Sequence, residues 1–293
     1  MKRSIFIGLM FLAIFCEGQE REVRVMRIRR PAAIGFYPGN REACEGMVKG
    51  FLSEAKKVVD TKPKILIVPH AGYVYSGRAA AEAFKQIEGE NYETAIILGV
   101  SHHYPLARPS IYLSDGYEIP LGTLSIDKER AEKIADACGL SEAAEADAPE
   151  HSIEVQLPYL KVLFPNIKIV PILVGNIDLD EFDRLASAIK SVMNDKTILI
   201  VSTDLSHYPE YEEANKVDRE TISLIENLDE MGLLQREMDL YSSKILGLST
   251  YLCGLSPTIV GLKVARLLKV KPKTLIYYNS GDTPYGKKDS VVG

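Results

Sequence analysis

The sequence predicts a single α/β domain whose largely parallel central sheet is covered by helices on both faces. Short, unbroken runs of β-branched residues and leucine recur along the 293 residues, and most are followed by a segment with helical periodicity. Strands that are buried on both faces of a parallel sheet have this composition. The chain is 46% hydrophobic and 26% charged, which is ordinary for a globular protein with a sizeable core.

The strands and the helices are predicted from two different periodicities. Unbroken apolar runs predict strands at 65–68, 95–98, 167–174, 198–201 and 274–278. Apolar residues three or four positions apart predict helices at 77–87, 127–138, 180–193, 216–228 and 258–268. Because strands and helices alternate along the chain, the sequence favours a layered α/β fold.

Composition and motifs exclude several classes of function. The net charge is -5 and no basic stretch is long, so nucleic-acid binding is not expected. The sequence has neither of the glycine-rich nucleotide-binding motifs, and after residue 25 it has no apolar run long enough for a transmembrane helix. The four cysteines form no C-x-x-C, which argues against a zinc knuckle or a disulfide framework. Cys44 and Cys138 lie in helical patterns and are expected to be buried thiols.

Residues 1–25 form an extension that differs from the domain predicted at 26–293. Basic residues precede an apolar run over 5–15, which has the length of a signal peptide and is too short to span a bilayer. Two interpretations stay open. If residues 1–18 act as a signal peptide, the protein is exported, whereas a start at Met26 would leave it in the cytoplasm. The second is the preferred interpretation.

Four of the five histidines follow predicted strands. They are His70, His102, His103 and His207. In open α/β sheets, ligands bind outside the carboxyl ends of the strands, so side chains from distant parts of the chain converge there. We expect His70 and one of the pair His102 and His103 to face a common site.

Two further motifs place charged or nucleophilic groups near the same edge. Asp204 and His207 are three residues apart in STDLSH, which puts both on one face of a turn or an opening helix and lets Asp204 orient an imidazole. Cys253 in YLCGLSP precedes a helix expected to begin near Pro257. The helix dipole would stabilise a thiolate at that position.

The motif PEHSIE has two interpretations. Pro149 is favourable in the first turn of a helix, which would put Glu150 and His151 near a helix N-terminus and within reach of the site. Alternatively, Glu150 and Ser152 only cap this helix by accepting hydrogen bonds from its free amides.

Neutral imidazoles together with an anionic ligand form a site for a first-row metal such as iron, copper or zinc. Two histidines and a thiolate suit redox chemistry on iron or copper, and they also suit a hydrolytic zinc. In the zinc alternative, Glu150 or His151 would be the base. A serine hydrolase would use Ser202, Asp204 and His207, but the sequence has no G-x-S-x-G motif.

A non-catalytic alternative uses the same cleft to bind a peptide or a phosphorylated tail. Arg108 and the histidines would contact the anionic ligand, and Tyr73, Tyr75 and Tyr104 would line the groove. Colour distinguishes the metals, because iron(III) or copper(II) bound to a thiolate absorbs visible light and zinc does not.

Six motifs, taken in order and spacing, resemble the Memo family (mediator of ErbB2-driven cell motility). They are PHAGYVYSG, GVSHH, EHSIEVQLPYL, VPILVG, STDLSHY and CG-x-x-P, and the resemblance runs from about residue 29 to the C-terminus. The segment FYPG at 36–39 also resembles the aromatic N-terminal strand of the family. Two features differ from the family pattern. The chain stops at 289–293, where family members continue through a final strand, and it carries the apolar extension.

The resemblance implies a fold like that of the class III extradiol dioxygenases, which depend on non-haem iron. It implies that Fe(II) or copper, with zinc ranked behind them, is held by His70, His102 and Cys253. The dioxygenases use two histidines and a glutamate, so the cysteine argues against ring cleavage. The expected catalytic groups are Asp204, His207 and His151, and the expected substrate contacts are Tyr73, His103 and Glu150.

The resemblance also implies a pathway link to radical-SAM and AMMECR-type proteins, which often accompany prokaryotic members. The expected function is therefore that of a metal-dependent oxidoreductase acting on an unknown small-molecule or peptide ligand. A peptide-binding adaptor without catalytic activity is the alternative.

Overall fold

A five-stranded sheet lies at the centre of the structure, a computed structural model that describes residues 26–175 and 178–293. The strands of the chain are β1 (Ile28–Arg29), β2 (Ile65–Val68), β3 (Thr94–Val100), β4 (Ser110–Ile111), β5 (Gly116–Ile119), β6 (Gly122–Ser125), β7 (Lys168–Val174) and β8 (Thr197–Ser202). The central sheet has the order β2-β8-β3-β7-β4 and is parallel except for β4. Every residue of β8 is buried, as expected for a strand covered on both faces. The signal-like extension lies outside the described residues.

Helices flank the sheet in two groups. The helices are α1 (Arg41–Glu54), α2 (Tyr73–Lys85), α3 (Lys128–Cys138), α4 (Ala144–Asp147), α5 (Leu157–Leu163), α6 (Leu179–Val192), α7 (Tyr211–Glu226), α8 (Glu230–Met238) and α9 (Leu255–Leu268). In one group α1, α2 and α5 pack together, and in the other α6 packs between α3 and α9. The predicted single-domain α/β fold is thus confirmed. Within the described ranges, no helix is both long enough and apolar enough to cross a membrane.

A second, smaller sheet was not predicted from the sequence. It has the order β1-β5-β6, with β1 parallel to β5 and β5 antiparallel to β6. Its strands are only two to four residues long, so they leave almost no periodic pattern in the sequence. The pairing of β1 with β5 brings Arg29 level with Tyr117.

The strand predicted at 274–278 is wrong. These residues have no strand assignment, and a cavity of about 360 Å³ is lined both by them and by β2, the edge strand of the central sheet. Side chains hold the segment in place instead of a backbone ladder. The hydroxyl of Tyr277 donates to Asp218, and that of Tyr278 accepts a hydrogen bond from the amide of Ala79. The segment has the composition of a strand, but pairing needs a neighbour within hydrogen-bonding distance.

The segment FYPG is part of a tight turn and not a strand. A β-bridge links Ile34 to Tyr37, and the backbone between them reverses direction. Gly35 has a φ of 108°, a conformation that side chains disfavour, so glycine suits this turn.

The register of the sheet brings three strand ends together. Val68 at the end of β2 lies opposite Ser202 at the end of β8, and Leu98 of β3 lies opposite Val201. Beyond the ladder, the amide of Thr203 donates to the carbonyl of Val68. The residues that follow β2, β3 and β8 therefore meet at the carboxyl edge of the sheet, where α/β proteins bind ligands.

Candidate metal centre

The loops after β2 and β8 are joined through Asp204. Its Oδ1 atom accepts hydrogen bonds from the amides of His70 (2.7 Å) and Ala71 (3.3 Å). Its Oδ2 atom is 3.9 Å from Nε2 of His70, which is too long for a hydrogen bond. Asp204 therefore fixes the backbone that carries the imidazole of His70 and makes no hydrogen bond to that ring.

Cys253 faces the ring of His70. The Sγ atom lies 3.2 Å from Nε2 of His70 and 3.2 Å from the amide nitrogen of Asp204. The loop that carries this thiol packs closely on the end of β8, because a Cβ atom on Gly254 would lie 2.6 Å from the side chain of Thr203. The predicted approach of Cys253 to the strand-end histidines is confirmed for His70.

Hydrogen bonds around Ser202 identify the free nitrogen of His70. The hydroxyl of Ser202 donates to the carbonyl of Ser152 (2.6 Å) and also accepts from the amide group of Gln156. A serine hydroxyl has one proton to donate, so at 3.1 Å its oxygen accepts the proton on Nδ1 of His70. The lone pair of Nε2 is left free on the side that faces Cys253.

His102 is oriented by Glu150 in a similar way. Its Nδ1 atom lies 2.9 Å from Oε1 of Glu150, and its backbone amide donates to Oε2 at 2.7 Å. Burial alone would raise the pKa of Glu150, but hydrogen bonds from His102 and from the amide of Ser152 lower this pKa to about 2. The carboxylate is ionised at neutral pH, so Nδ1 of His102 carries the proton and Nε2 is free.

His151 completes a group of three imidazoles. Its ring stacks on that of His102, with centroids 4.5 Å apart, and stands perpendicular to that of His70 at 5.4 Å. Phe36 from the N-terminal turn stacks on His151 at 4.3 Å. The aromatic turn thus forms part of the wall of the site.

Among the described residues, two of the three groups of candidate ligand atoms share His70. One group contains His70, His102 and His151, and the other contains His70, Asp204 and Cys253; within each group the ligand atoms lie within 4.8 Å of one another. The predicted ligands His70, His102 and Cys253 are therefore divided between two groups that meet at His70.

Burial keeps the imidazoles of His70 and His151 neutral. Burial and the neighbouring His102 lower the pKa of His70 to about 3, and burial and His70 lower the pKa of His151 to about 4. Burial and the carboxylate of Asp204 raise the pKa of the Cys253 thiol. The dipole of α9, which was expected to stabilise a thiolate at this position, is opposed by the loss of water around the buried sulfur.

His207 is a further buried group beside Asp204. Burial lowers the pKa of His207, and burial raises the pKa of the Asp204 carboxyl. Among the described residues, the Nε2 atom of His207 has no hydrogen-bond partner. The segment 203–206 is neither strand nor helix, so Asp204 and His207 belong to an irregular loop.

Comparison with known proteins shows the family of this chain. A family model described as "Memo-like protein" matches residues 29–293. The chain belongs to the Memo family. A "MEMO1 family protein" of Aquifex aeolicus is 37% identical over 266 residues, which covers 88% of this chain and 94% of the relative. Another, from Caldivirga maquilingensis, is 33% identical over 88% of this chain and 94% of its own length. A third, from Saccharolobus islandicus, is 38% identical over 78% of this chain and 79% of its own length.

The expected substrate contacts of this Memo-family chain differ in exposure. Tyr73 is buried, and its hydroxyl donates to the carbonyl of Val155. Glu150 is 2% exposed and its oxygens are occupied. His103 is exposed and lies in one group with Glu150 and His151. Of the three expected contacts, only His103 is open to solvent.

Two alternative hypotheses lose support from the geometry. The hydroxyl of Ser202 is buried against His70 and is not exposed as a nucleophile. The guanidinium of Arg108 donates to Glu181 and to the carbonyls of Cys138 and Gly139, so the cation expected to bind a phosphorylated tail is already paired. Tyr75 and Tyr104, also expected to line the peptide groove, are exposed.

As predicted, Cys44 and Cys138 are buried free thiols.

The motif PEHSIE does not begin a helix at Pro149. Residues 150 and 151 are irregular, a 3₁₀ turn begins at Glu154, and α5 follows. The carboxylate of Glu154, the last residue of this motif, accepts hydrogen bonds from the N-terminal segment and from Arg29. Its donors are the amides of Ala32 and Ala33, the hydroxyl of Tyr37 and the Arg29 guanidinium. Glu154 thereby anchors the turn that carries Phe36 to the site.

Proposed function

We propose that this Memo-family chain is a metal-dependent oxidoreductase that holds iron or copper with His70, His102 and Cys253. The observation that carries the proposal is the 3.2 Å separation of Nε2 of His70 and Sγ of Cys253. Nitrogen and sulfur ligands at about 2.0 and 2.3 Å from one tetrahedral ion are about 3.5 Å apart. The two atoms thus already have nearly the separation that a shared metal requires.

The donor set fits such an ion. Nδ1 of His70 and Nδ1 of His102 are both engaged by neighbouring side chains, which leaves Nε2 free on each ring. Imidazole nitrogens and a sulfur suit copper, iron and zinc and do not suit magnesium or calcium. Bound iron or copper would supply one-electron redox chemistry. A fold like that of the class III extradiol dioxygenases and a link to radical-SAM and AMMECR-type proteins belong to the same proposal.

The chain itself contributes proton-transferring and substrate-binding groups. The thiol of Cys253 must lose its proton to become a ligand. Asp204 lies beside this thiol, and His207 interacts with Asp204. We assign proton transfer to this pair, because Nε2 of His207 is without a partner in the described part of the chain. His103 is exposed and is assigned to contact the substrate, whereas the half-buried His151 is assigned a catalytic role beside the metal ligands.

The experiment is metal analysis of protein purified without oxygen. The wild type is compared with His70→Ala and Cys253→Ala, and Cys138→Ala is the matched control because it removes a buried thiol at the end of α3. We expect close to one equivalent of iron or copper in the wild type and the control, and loss of the metal from the other two variants. Protein that retains the metal should then consume oxygen with a catechol or thiol substrate.

Full metal occupancy in both His70→Ala and Cys253→Ala would overturn the assignment of the ligands. Zinc as the only metal, in a colourless protein, would overturn the redox proposal and favour hydrolysis. No metal in the wild type, even after reconstitution, would favour the peptide-binding alternative.

A further inference from the structure

We propose that Glu150 is a positioning residue that fixes the rings of His102 and His151 for metal binding. The inference rests on the proposed function for the identity of the metal site. From the sequence, Glu150 was expected instead to contact the substrate or to cap a helix. The helical segment after this motif begins only at Glu154, so Glu150 is not at a helix N-terminus.

The carboxylate of Glu150 contacts His102 at two points. Oε1 lies 2.9 Å from Nδ1 of the ring, and Oε2 accepts the backbone amide of the same residue at 2.7 Å. The two contacts fix both the backbone and the ring plane of His102. An ionised carboxylate only accepts hydrogen bonds, so the proton of the ring is placed on Nδ1 and the lone pair on Nε2. A histidine that is fixed in this way is ready to bind a metal through Nε2.

Glu150 is itself held rigidly. Oε1 also accepts hydrogen bonds from the amides of His151 (2.9 Å) and Ser152 (2.8 Å), and the residue is 2% exposed. All of these partners are donors, and three of them converge on Oε1, the oxygen that faces the two rings. The geometry therefore favours an orienting role for Glu150 over that of a ligand.

The same oxygen approaches the second imidazole. Oε1 of Glu150 lies 3.4 Å from Nδ1 of His151, and the ring of His151 stacks on that of His102 with an angle of 18° between the planes. One carboxylate thus binds the ring of His102 directly and lies beside the ring of His151, which stacks on it. A change at Glu150 is expected to displace both.

The first test measures the protonated nitrogen of each histidine in metal-free protein. Long-range ¹H–¹⁵N correlation spectra of the full chain distinguish Nδ1–H from Nε2–H. Variants that each replace one histidine assign the signals of the five histidines. We expect His102 to be protonated on Nδ1. Protonation of His102 on Nε2 in the wild type would overturn the inference whether or not the protein binds a metal.

The second test is Glu150→Gln, with Glu142→Gln as the matched control. Glu142 also accepts a backbone amide and a hydroxyl, from Leu113 and Ser114, but contacts none of the histidines. Glutamine has the size of glutamate, yet its NH₂ group must face one of the donors that surround residue 150. In Glu150→Gln we expect mixed tautomers at His102 and a copper or zinc affinity about 10- to 100-fold weaker. Glu142→Gln should change neither.

The outcomes separate the two proposals. If the wild type binds no copper, iron or zinc, the proposed function fails, and the tautomer of His102 still decides the role of Glu150. If the wild type binds metal and Glu150→Gln keeps both the tautomer and the affinity, the role of Glu150 is overturned. If Glu150→Gln does not fold, Glu150→Asp keeps the negative charge, and we expect it to retain Nδ1–H at His102 with weakened metal binding. Unchanged affinity in Glu150→Asp would also contradict the inference.

Discussion

Nε2 of His70 lies 3.2 Å from Sγ of Cys253, although 183 positions separate the two residues in the chain. The contact exists because β2 and β8 are paired in register and the loop before α9 packs on the end of β8. The fold therefore brings two residues that lie far apart in the sequence together in one candidate metal centre.

Ser202 should be needed for tight metal binding although it is not a ligand. Ser202→Ala removes the oxygen that accepts the proton on Nδ1 of His70, so the ring is free to rotate or to change tautomer. We expect metal affinity to fall about 10-fold or more, measured by competition with a coloured chelator. Ser191→Ala is the control, because that hydroxyl only donates to a carbonyl within α6. Equal affinity in the two variants would refute this role of Ser202.

Gly254 should tolerate no side chain. A Cβ atom there would lie 2.6 Å from the side chain of Thr203 and 2.9 Å from the carbonyl of Ser202, so the loop that carries Cys253 would have to move. We expect Gly254→Ala to reduce the free energy of unfolding by about 1–3 kcal/mol and to weaken metal binding. Gly46→Ala in α1 meets no atom within 4 Å and should increase stability by about 0.5–1 kcal/mol. Urea denaturation measures both, and an unaffected Gly254→Ala protein would contradict the close packing.

The ion pair of Arg29 and Glu154 should be a major contributor to stability. Both side chains are almost fully buried, and Glu154 also accepts the amides of Ala32 and Ala33. Glu154→Gln leaves a buried guanidinium without its counter-charge, which typically costs about 3–5 kcal/mol. The control is Glu45→Gln, which breaks an exposed pair on α1 and should leave the urea midpoint unchanged. Similar midpoints for the two variants would show that the buried pair is not needed.

Asp147 should make stability depend on pH. Burial raises the pKa of this carboxyl to about 6 from its ordinary 3.8, although Tyr117 and Arg29 oppose the shift. Between these values the folded state binds a proton that the unfolded state has lost, so the contribution of Asp147 to stability falls as pH rises from about 4 to about 6.

Asp147→Asn removes this dependence. The variant should gain stability relative to the wild type as pH rises through the same window, by about 2–3 kcal/mol in total, since one pKa unit corresponds to about 1.4 kcal/mol. Urea denaturation of metal-free protein at several pH values between 4 and 8 measures the difference. A difference that does not vary with pH would show that the carboxyl has an ordinary pKa.

Much of the central sheet could be predicted because its signals are local. The unbroken apolar runs at 65–68 and 198–201 fall on β2 and β8, and the polar residues after them fall at the site. The run at 274–278 has the same composition but makes no ladder, because pairing depends on where distant segments lie. Strands as short as β1 leave no periodic signal at all.

Only the part of the site that has a local signal in the sequence could be predicted. His70 and one of the pair His102 and His103 could be placed at the site from topology, and the family resemblance indicated His102. The partners that orient these rings are distant in sequence. Glu150 is 48 residues from His102, and Ser202 is 132 residues from His70. Glu150 and Glu154 flank the histidine of EHSIE, and this pair of acids was the available signal. Only the register of the folded chain shows which donor each carboxylate accepts.

The most direct test of the metal centre is an X-ray absorption spectrum at the metal edge of the loaded protein. The account predicts one sulfur neighbour at about 2.3 Å together with nitrogen neighbours at about 2.0 Å. The sulfur should disappear in Cys253→Ala and remain in Cys138→Ala. A first shell made only of nitrogen and oxygen in the wild type would contradict the pairing of His70 and Cys253 on one metal ion.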